Sequence, residues 1–121
     1  MSKRILMVED NTDNRQIVRD LIAGTGYELI EAHDGAAGVA AAAVHKPDLI
    51  LMDIQLPVMD GYEAARRIKA DPALRHIPII AVTSYALSGD EAKASAAGCD
   101  GYVAKPFSPR QLLAKIAEFI G

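Results

Sequence analysis

The sequence predicts an α/β domain built on a parallel sheet of five strands, with helices on both faces. Three observations carry this prediction. Five short apolar runs, Ile5–Val8, Glu28–Ala32, Leu49–Met52, Ile77–Val82 and Tyr102–Ala104, alternate with segments of helical character. Three of these runs are nearly continuous in apolar residues, as expected for strands covered on both faces. Strand followed by helix, five times over, implies right-handed crossovers between parallel strands.

Each helix has its own start or stop signal. Ile17, Val18, Leu21 and Ile22 recur at one and four, predicting a helix face, and Gly24 and Gly26 stop it. Ala36 to Val44 reads as an alanine-rich helix ended by His45, Lys46 and Pro47. Asp60 and Glu63 have capping-box spacing and open a third helix that ends before Asp71 and Pro72. Ser88 with Glu91 repeats that spacing for a helix closed at Gly98, and Ser108 with Gln111 does so again. In the last helix Pro109 takes the first helical position and Phe107 is placed to staple onto Leu112. Leu112, Leu113, Ile116, Phe119 and Ile120 form its apolar face.

The length of 121 residues fits one domain, at roughly 100–200 residues per domain. A single unit over residues 1–121 is expected, without an output domain, because the last helix runs almost to Gly121. There are 13 Lys and Arg against 16 Asp and Glu, with no basic block, so nucleic-acid binding lacks electrostatic support. Cys99 is the one cysteine and has no internal disulfide partner, which makes a reducing cytoplasm the simplest setting. The apolar stretch in "MSKRILMVED" is too short for a signal peptide. No run approaches the roughly 18 apolar residues of a membrane span.

In open parallel sheets, ligands bind beyond the carboxyl ends of the strands. Glu9 and Asp10 follow the first strand, Asp53 the third, Thr83 and Ser84 the fourth, and Lys105 the fifth. All of them fall at one edge and are expected to converge. Singly, each has an ordinary explanation. Glu9 and Asp10 favour a helix N-terminus; Asp53 ends a strand at a turn; Thr83 is a common β-residue; Lys105 is a solvated counter-ion. The conjunction is harder to dismiss, because three carboxylates at one edge raise one another's pKa. A divalent cation removes that cost, and magnesium takes a few carboxylate oxygens, keeps water and favours phosphate. Lys105 and the hydroxyls of Thr83 and Ser84 would then face phosphate oxygens. Such an arrangement fits phosphoryl transfer, with a carboxylate as nucleophile.

The motifs "ILMVEDN", "LILMDIQLPVMDG", "IIAVTS" and "GYVAKPF", in that order and spacing, resemble the receiver domain of bacterial two-component response regulators. The resemblance covers essentially the whole chain. It implies a flavodoxin-like (βα)5 fold with strand order 2-1-3-4-5. It also implies roles: Asp53 as phospho-acceptor, and Glu9, Asp10 and Asp53, with the backbone carbonyl of Gln55, as magnesium ligands. Lys105 would bind phosphate together with Thr83 and Ser84, and Lys105–Pro106 would be cis. Thr83 and Tyr102 would form the switch, and Gln55 and Tyr85 would tune phosphate lifetime. Tyr85 also reads as a solvent-facing loop aromatic. A finer likeness, in "KPDLILMDIQLP", "HIPIIAVTS" and "GDE" before "GC", is to single-domain regulators of cell division and polarity in alphaproteobacteria. The same phrases occur in receiver domains of hybrid histidine kinases.

The resemblance implies a phosphoryl-accepting signalling protein, catalysing only its own phosphorylation and dephosphorylation. Its donor would be a histidine kinase or a histidine phosphotransfer protein. A downstream protein would read a changed surface on helix 4, strand 5 and helix 5. The expected state is a cytoplasmic monomer that neither binds nucleic acid nor inserts in a membrane. A phosphorylation-independent binding module would have lost an acid or the lysine, and none is lost. A phosphatase with an aspartate nucleophile would carry a second acid where Gln55 stands. A nucleotide binder would have glycines in the turn "EDNTDN". Helix 4, "SGDEAKASAAGCDG", offers the core only Ala92, Ala94, Ala96 and Ala97. Either it docks loosely and moves on phosphorylation, or alanine is there as a good helix former.

Overall fold

The computed structural model describes residues 2–83 and 90–121. Five strands alternate with five helices: β1 (Arg4–Val8), α1 (Thr12–Ala23), β2 (Glu28–Ala32), α2 (Gly35–His45), β3 (Leu49–Asp53), α3 (Gly61–Ala70), β4 (Ile79–Thr83), α4 (Asp90–Ala96), β5 (Gly101–Ala104) and α5 (Pro109–Ile120). The sheet is parallel throughout, in the order β2-β1-β3-β4-β5. This is the flavodoxin-like arrangement expected from the sequence.

The pleat of the central strands separates two cores. Leu6 and Val8 of β1, Ile50 and Met52 of β3 and Ile79 of β4 face α2 and α3, where Ala42, Ala64, Ala65 and Ile68 meet them. Ile5 and Met7, Leu49 and Leu51, and Ile80 face the opposite way, against Val18 and Ile22 of α1 and Leu112 and Ile116 of α5. Because side chains alternate along a strand, β1 and β3 each feed both cores, and every residue of β3 is buried. That is why these runs carry no polar alternation.

Local signals set the ends. Asn11 caps α1 by accepting from the Asn14 N–H, and Asp34 caps α2 by accepting from the Ala37 N–H. The α5 capping box is complete: Ser108 Oγ accepts from the Gln111 N–H at 3.1 Å, and Gln111 Oε1 accepts from the Ser108 N–H at 2.8 Å. Phe107 packs into the same core as Leu112, as the staple predicts. The box expected at Asp60 is only half made. Asp60 accepts from the Glu63 N–H, but the Glu63 carboxylate turns outward to Arg66 and Arg67.

Other expectations are corrected. Ile17 is 56% exposed; the buried stripe of α1 is Arg15, Val18 and Ile22, one step around the helix. Of the four alanines, Ala94 on α4 and Ala97 just past its end are buried, whereas Ala92 and Ala96 face outward. The fourth strand begins at Ile79 rather than Ile77, because Pro78 has no N–H to give the ladder. Asp53 and Thr83 are the last residues of their strands, not the first beyond them. Ser84, Tyr85 and Ser88, to which the sequence assigned phosphate contact, lifetime tuning and a helix cap, lie outside the described residues.

Candidate functional site

Register brings the polar residues together. Val8 pairs with Met52, so Glu9 lies beside Asp53 just past the ladder. Asp53 itself pairs with Val82, and Thr83 with Ala104, which places Lys105 across the same edge. Parity then chooses the face. Glu9, Asp53 and Lys105 follow Val8, Met52 and Ala104 by one residue, so all three turn toward α1 and α5. There Met7, Leu51, Val82 and Phe107 wall a small cavity that the three polar groups share.

Asp53 and Glu9 are 4% and 5% exposed, so both carboxylates are nearly out of bulk water. Lys105 Nζ donates to Glu9 Oε1 at 2.8 Å and lies 3.5 Å from Asp53 Oδ2. The other Asp53 oxygen, Oδ1, accepts from the Gln55 N–H at 3.1 Å. Asp10 is exposed, and it offers a carboxylate oxygen within 4.8 Å of those of Glu9 and Asp53. Burial, then hydrogen bonding and charge repulsion from Glu9, push the Asp53 carboxyl up to about 7, against the pull of Lys105. Burial also opposes the Glu9 charge, but hydrogen bonds from Asp53 and Lys105, with the Lys105 charge, hold Glu9 below its ordinary value.

When all are ionised, three carboxylates, two of them nearly closed to water, face one ammonium group, an excess of two negative charges. A hard divalent cation with oxygen preference fits that donor set. Magnesium is such an ion, and Glu9, Asp10 and Asp53 are the side chains that would hold it.

Thr83 is fully buried and has the opposite parity, facing α3 and α4. Gln55 Nε2 donates to its Oγ at 2.8 Å. Gln55 therefore touches Asp53 through its main chain and Thr83 through its side chain. Tyr102 is half-buried on β5 and packs on the cluster of Ile54, Ala81 and Ala94. Lys105–Pro106 is cis.

Two residues that position the site were not singled out in the sequence. Gly61, the first residue of α3, sits so close that a Cβ there would lie 2.2 Å from the Asp53 carbonyl oxygen. Arg15 donates from Nη1 to the Glu9 carbonyl oxygen at 3.0 Å. The signal for Arg15 was its place three and seven residues before Val18 and Ile22, a basic residue on an otherwise apolar stripe.

The response regulator receiver domain family matches residues 5–117. The chain belongs to that family. It is 45% identical, over all 121 residues and 98% of the relative, to the polar-differentiation response regulator DivK of Brucella anthropi. The receiver domain of a sensor histidine kinase from Pseudomonas aeruginosa, solved with a magnesium ion in the active-site cleft, superposes with a TM-score of 0.93 at 40% identity. That match covers 100% of this chain and 99% of the other. The chemotaxis protein CheY4 of Vibrio cholerae superposes with a TM-score of 0.92 at 28% identity, over 98% and 99% of the two chains. Both finer likenesses seen in the sequence, to single-domain regulators and to kinase-linked receivers, thus have counterparts among known proteins. Among the described residues, no helix is long and apolar enough to cross a membrane.

Proposed function

We propose that this receiver domain takes a phosphoryl group on Asp53 from a phosphohistidine of a histidine kinase or a histidine phosphotransfer protein, and passes the signal on by protein contact. The observation that carries the reading is a buried carboxylate at the carboxyl edge of the sheet, flanked by an ammonium group, two further acids and a main-chain N–H. An Asp53 oxygen attacks phosphorus as the phosphorus–nitrogen bond breaks, and that electron pair returns to the imidazole. The product is an acyl phosphate on Asp53. Bound magnesium, held by Glu9, Asp10, Asp53 and the Gln55 carbonyl, would neutralise the equatorial oxygens of the transferring group. Lys105, already within 3.5 Å of Asp53, supplies the remaining positive charge.

Thr83 then exchanges its bond with Gln55 for one to a phosphoryl oxygen, and Tyr102 turns into the space Thr83 leaves. The changed surface of α4, β5 and α5 is what a downstream protein reads, as a shift between two pre-existing populations. We read residues 1–121 as a single-domain, cytoplasmic, monomeric regulator that contacts neither nucleic acid nor membrane. Ser84 completes the phosphate contacts, and Gln55 and Tyr85 set the phosphate lifetime. The full-length likeness to a polar-differentiation regulator supports a role in cell polarity, and the likeness of the motifs to regulators of cell division extends the proposal to division control.

The test is incubation with magnesium and acetyl phosphate, followed by intact mass measurement. One added phosphoryl group is expected, and none with Asp53→Asn or with chelator present. Full labelling of the Asn variant overturns the assignment.

A further inference from the structure

We infer that Arg15 is a positioning residue for the metal site: its guanidinium fixes the Glu9–Asp10 peptide and thereby aims both acidic side chains. This rests on the reading of Glu9, Asp10 and Asp53 as magnesium ligands. Arg15 is 9% exposed, although arginine is rarely buried unless paired. It stands on the inward stripe of α1, in line with Val18 and Ile22. Nη1 donates to the Glu9 carbonyl oxygen at 3.0 Å and Nη2 to Thr12 Oγ1 at 3.2 Å. Nε has no hydrogen-bond acceptor among the described residues, but it lies 3.7 Å from Glu31 Oε1. Glu31 is held in turn by a two-pronged pairing with Arg19, at 2.7 and 2.9 Å.

The Glu9 carbonyl belongs to the peptide that joins the two acids. On the other side of Glu9, its N–H donates to the Ala32 carbonyl of β2 at 3.0 Å. The main chain of Glu9 is therefore clamped from both sides, by β2 through its N–H and by α1 through its C=O. Without the Arg15 hydrogen bond the carbonyl side of that peptide loses its side-chain anchor on α1, leaving the Asn11 main chain, which donates to Glu9 Oε2 at 3.3 Å, as the restraint beyond it, and the exposed Asp10 carboxylate shifts with the peptide. Residues that orient metal ligands from behind typically change metal affinity about 10–100-fold when removed.

Sign separates this role from a simple charge effect. A positive charge near a cation site repels the cation, so deleting Arg15 would tighten magnesium binding if charge alone mattered. Positioning requires the opposite.

The experiment is a magnesium chloride titration of the full chain, followed by calorimetry and by the amide shifts of Asp10 and Asp53. It compares wild type, Arg15→Met, Arg15→Lys, Glu31→Gln and a remote core control, Ile68→Val. Magnesium affinity about tenfold weaker in Arg15→Met is expected, with a smaller loss in Glu31→Gln and none in Ile68→Val. Arg15→Lys keeps the charge but lacks the fork, and it should fall between wild type and Arg15→Met. Phosphorylation by acetyl phosphate should regain its wild-type rate, within about threefold, once magnesium is saturating, with only the half-saturating concentration displaced. An Arg15→Met variant that binds magnesium as tightly as wild type, or more tightly, overturns the inference while leaving the site reading intact. Failure of the wild type to bind magnesium overturns both. Where Arg15→Met does not fold, the Lys and Glu31 variants decide on the same criterion.

Discussion

Replacing Asp53 with asparagine should make the metal-free protein more stable, by an amount that grows with pH. Asp53 has an ordinary value near 3.8 and is pushed up to about 7 by burial and by Glu9. A carboxyl whose value is raised by folding contributes fully to stability only below its unfolded value. That contribution is lost as pH climbs from about 4 to about 7. A rise of this size corresponds to about 4 kcal/mol at pH 8 and under about 2 kcal/mol at pH 5, taken for Asp53 alone. Glu9 and Asp53 titrate as an interacting pair, so part of this belongs to the pair, and about 2 kcal/mol is the growth expected between the two pH values. For a chain of this size that is about 8 °C of Tm. The assay is thermal unfolding by circular dichroism in chelator, wild type against Asp53→Asn, in half-unit steps from pH 5 to 8. Magnesium at pH 8 should then raise the Tm of wild type and narrow the gap. A Tm difference that stays flat across the range, or shrinks toward pH 8, refutes the electrostatic account of the site.

Three further outcomes are expected. Gly61→Ala places a Cβ against main-chain atoms of Asp53 and Ile54 that have no flexible end to give way; unfolding in urea should show a loss of about 3 kcal/mol, and phosphorylation should slow because Asp53 must shift. Ser108→Ala removes one half of the α5 capping box and should cost about 1 kcal/mol in the same assay. Among the described residues α4 buries the methyl group of Ala94, and the turn after it that of Ala97, each contributing about 0.8 kcal/mol, whereas α5 buries Leu112 and Ile116; amide exchange should therefore be faster in α4 than in α5, and equal protection refutes the loose docking of α4.

Much of this was legible in the sequence because strand burial and strand termination use different residue types. Leu49 to Met52, short, unbroken and bounded by Pro47 and Pro57, reads as a covered strand, and Asp53 marks where it ends. Motif order then ties Glu9, Asp10 and Lys105 to the same edge. Three things stayed hidden. Period-2 parity cannot be read across strands until register is known, so the facing of Glu9, Asp53 and Lys105 to one side, and Thr83 to the other, emerges only in the folded sheet. Hydropathy favours isoleucine over arginine and so puts Ile17 on the inward stripe of α1, yet Arg15 goes inward on account of its bond to the Glu9 carbonyl. Gly61 looks like an ordinary turn glycine in "VMDG", and only proximity to Asp53 shows that the space for a Cβ is taken.

The alternation of β3 and β4 has a consequence for traffic at the site. Before phosphorylation the sheet keeps two groups apart: Asp53 and Lys105 line the cavity toward α1 and α5, whereas Ile54 and Tyr102 pack on the side of α3 and α4, with Thr83 of the same parity. A donor reaching Asp53 from the first side and a listener reading α4, β5 and α5 would therefore meet along α5, and only a listener confined to α4 and β5 would leave Asp53 free to reload.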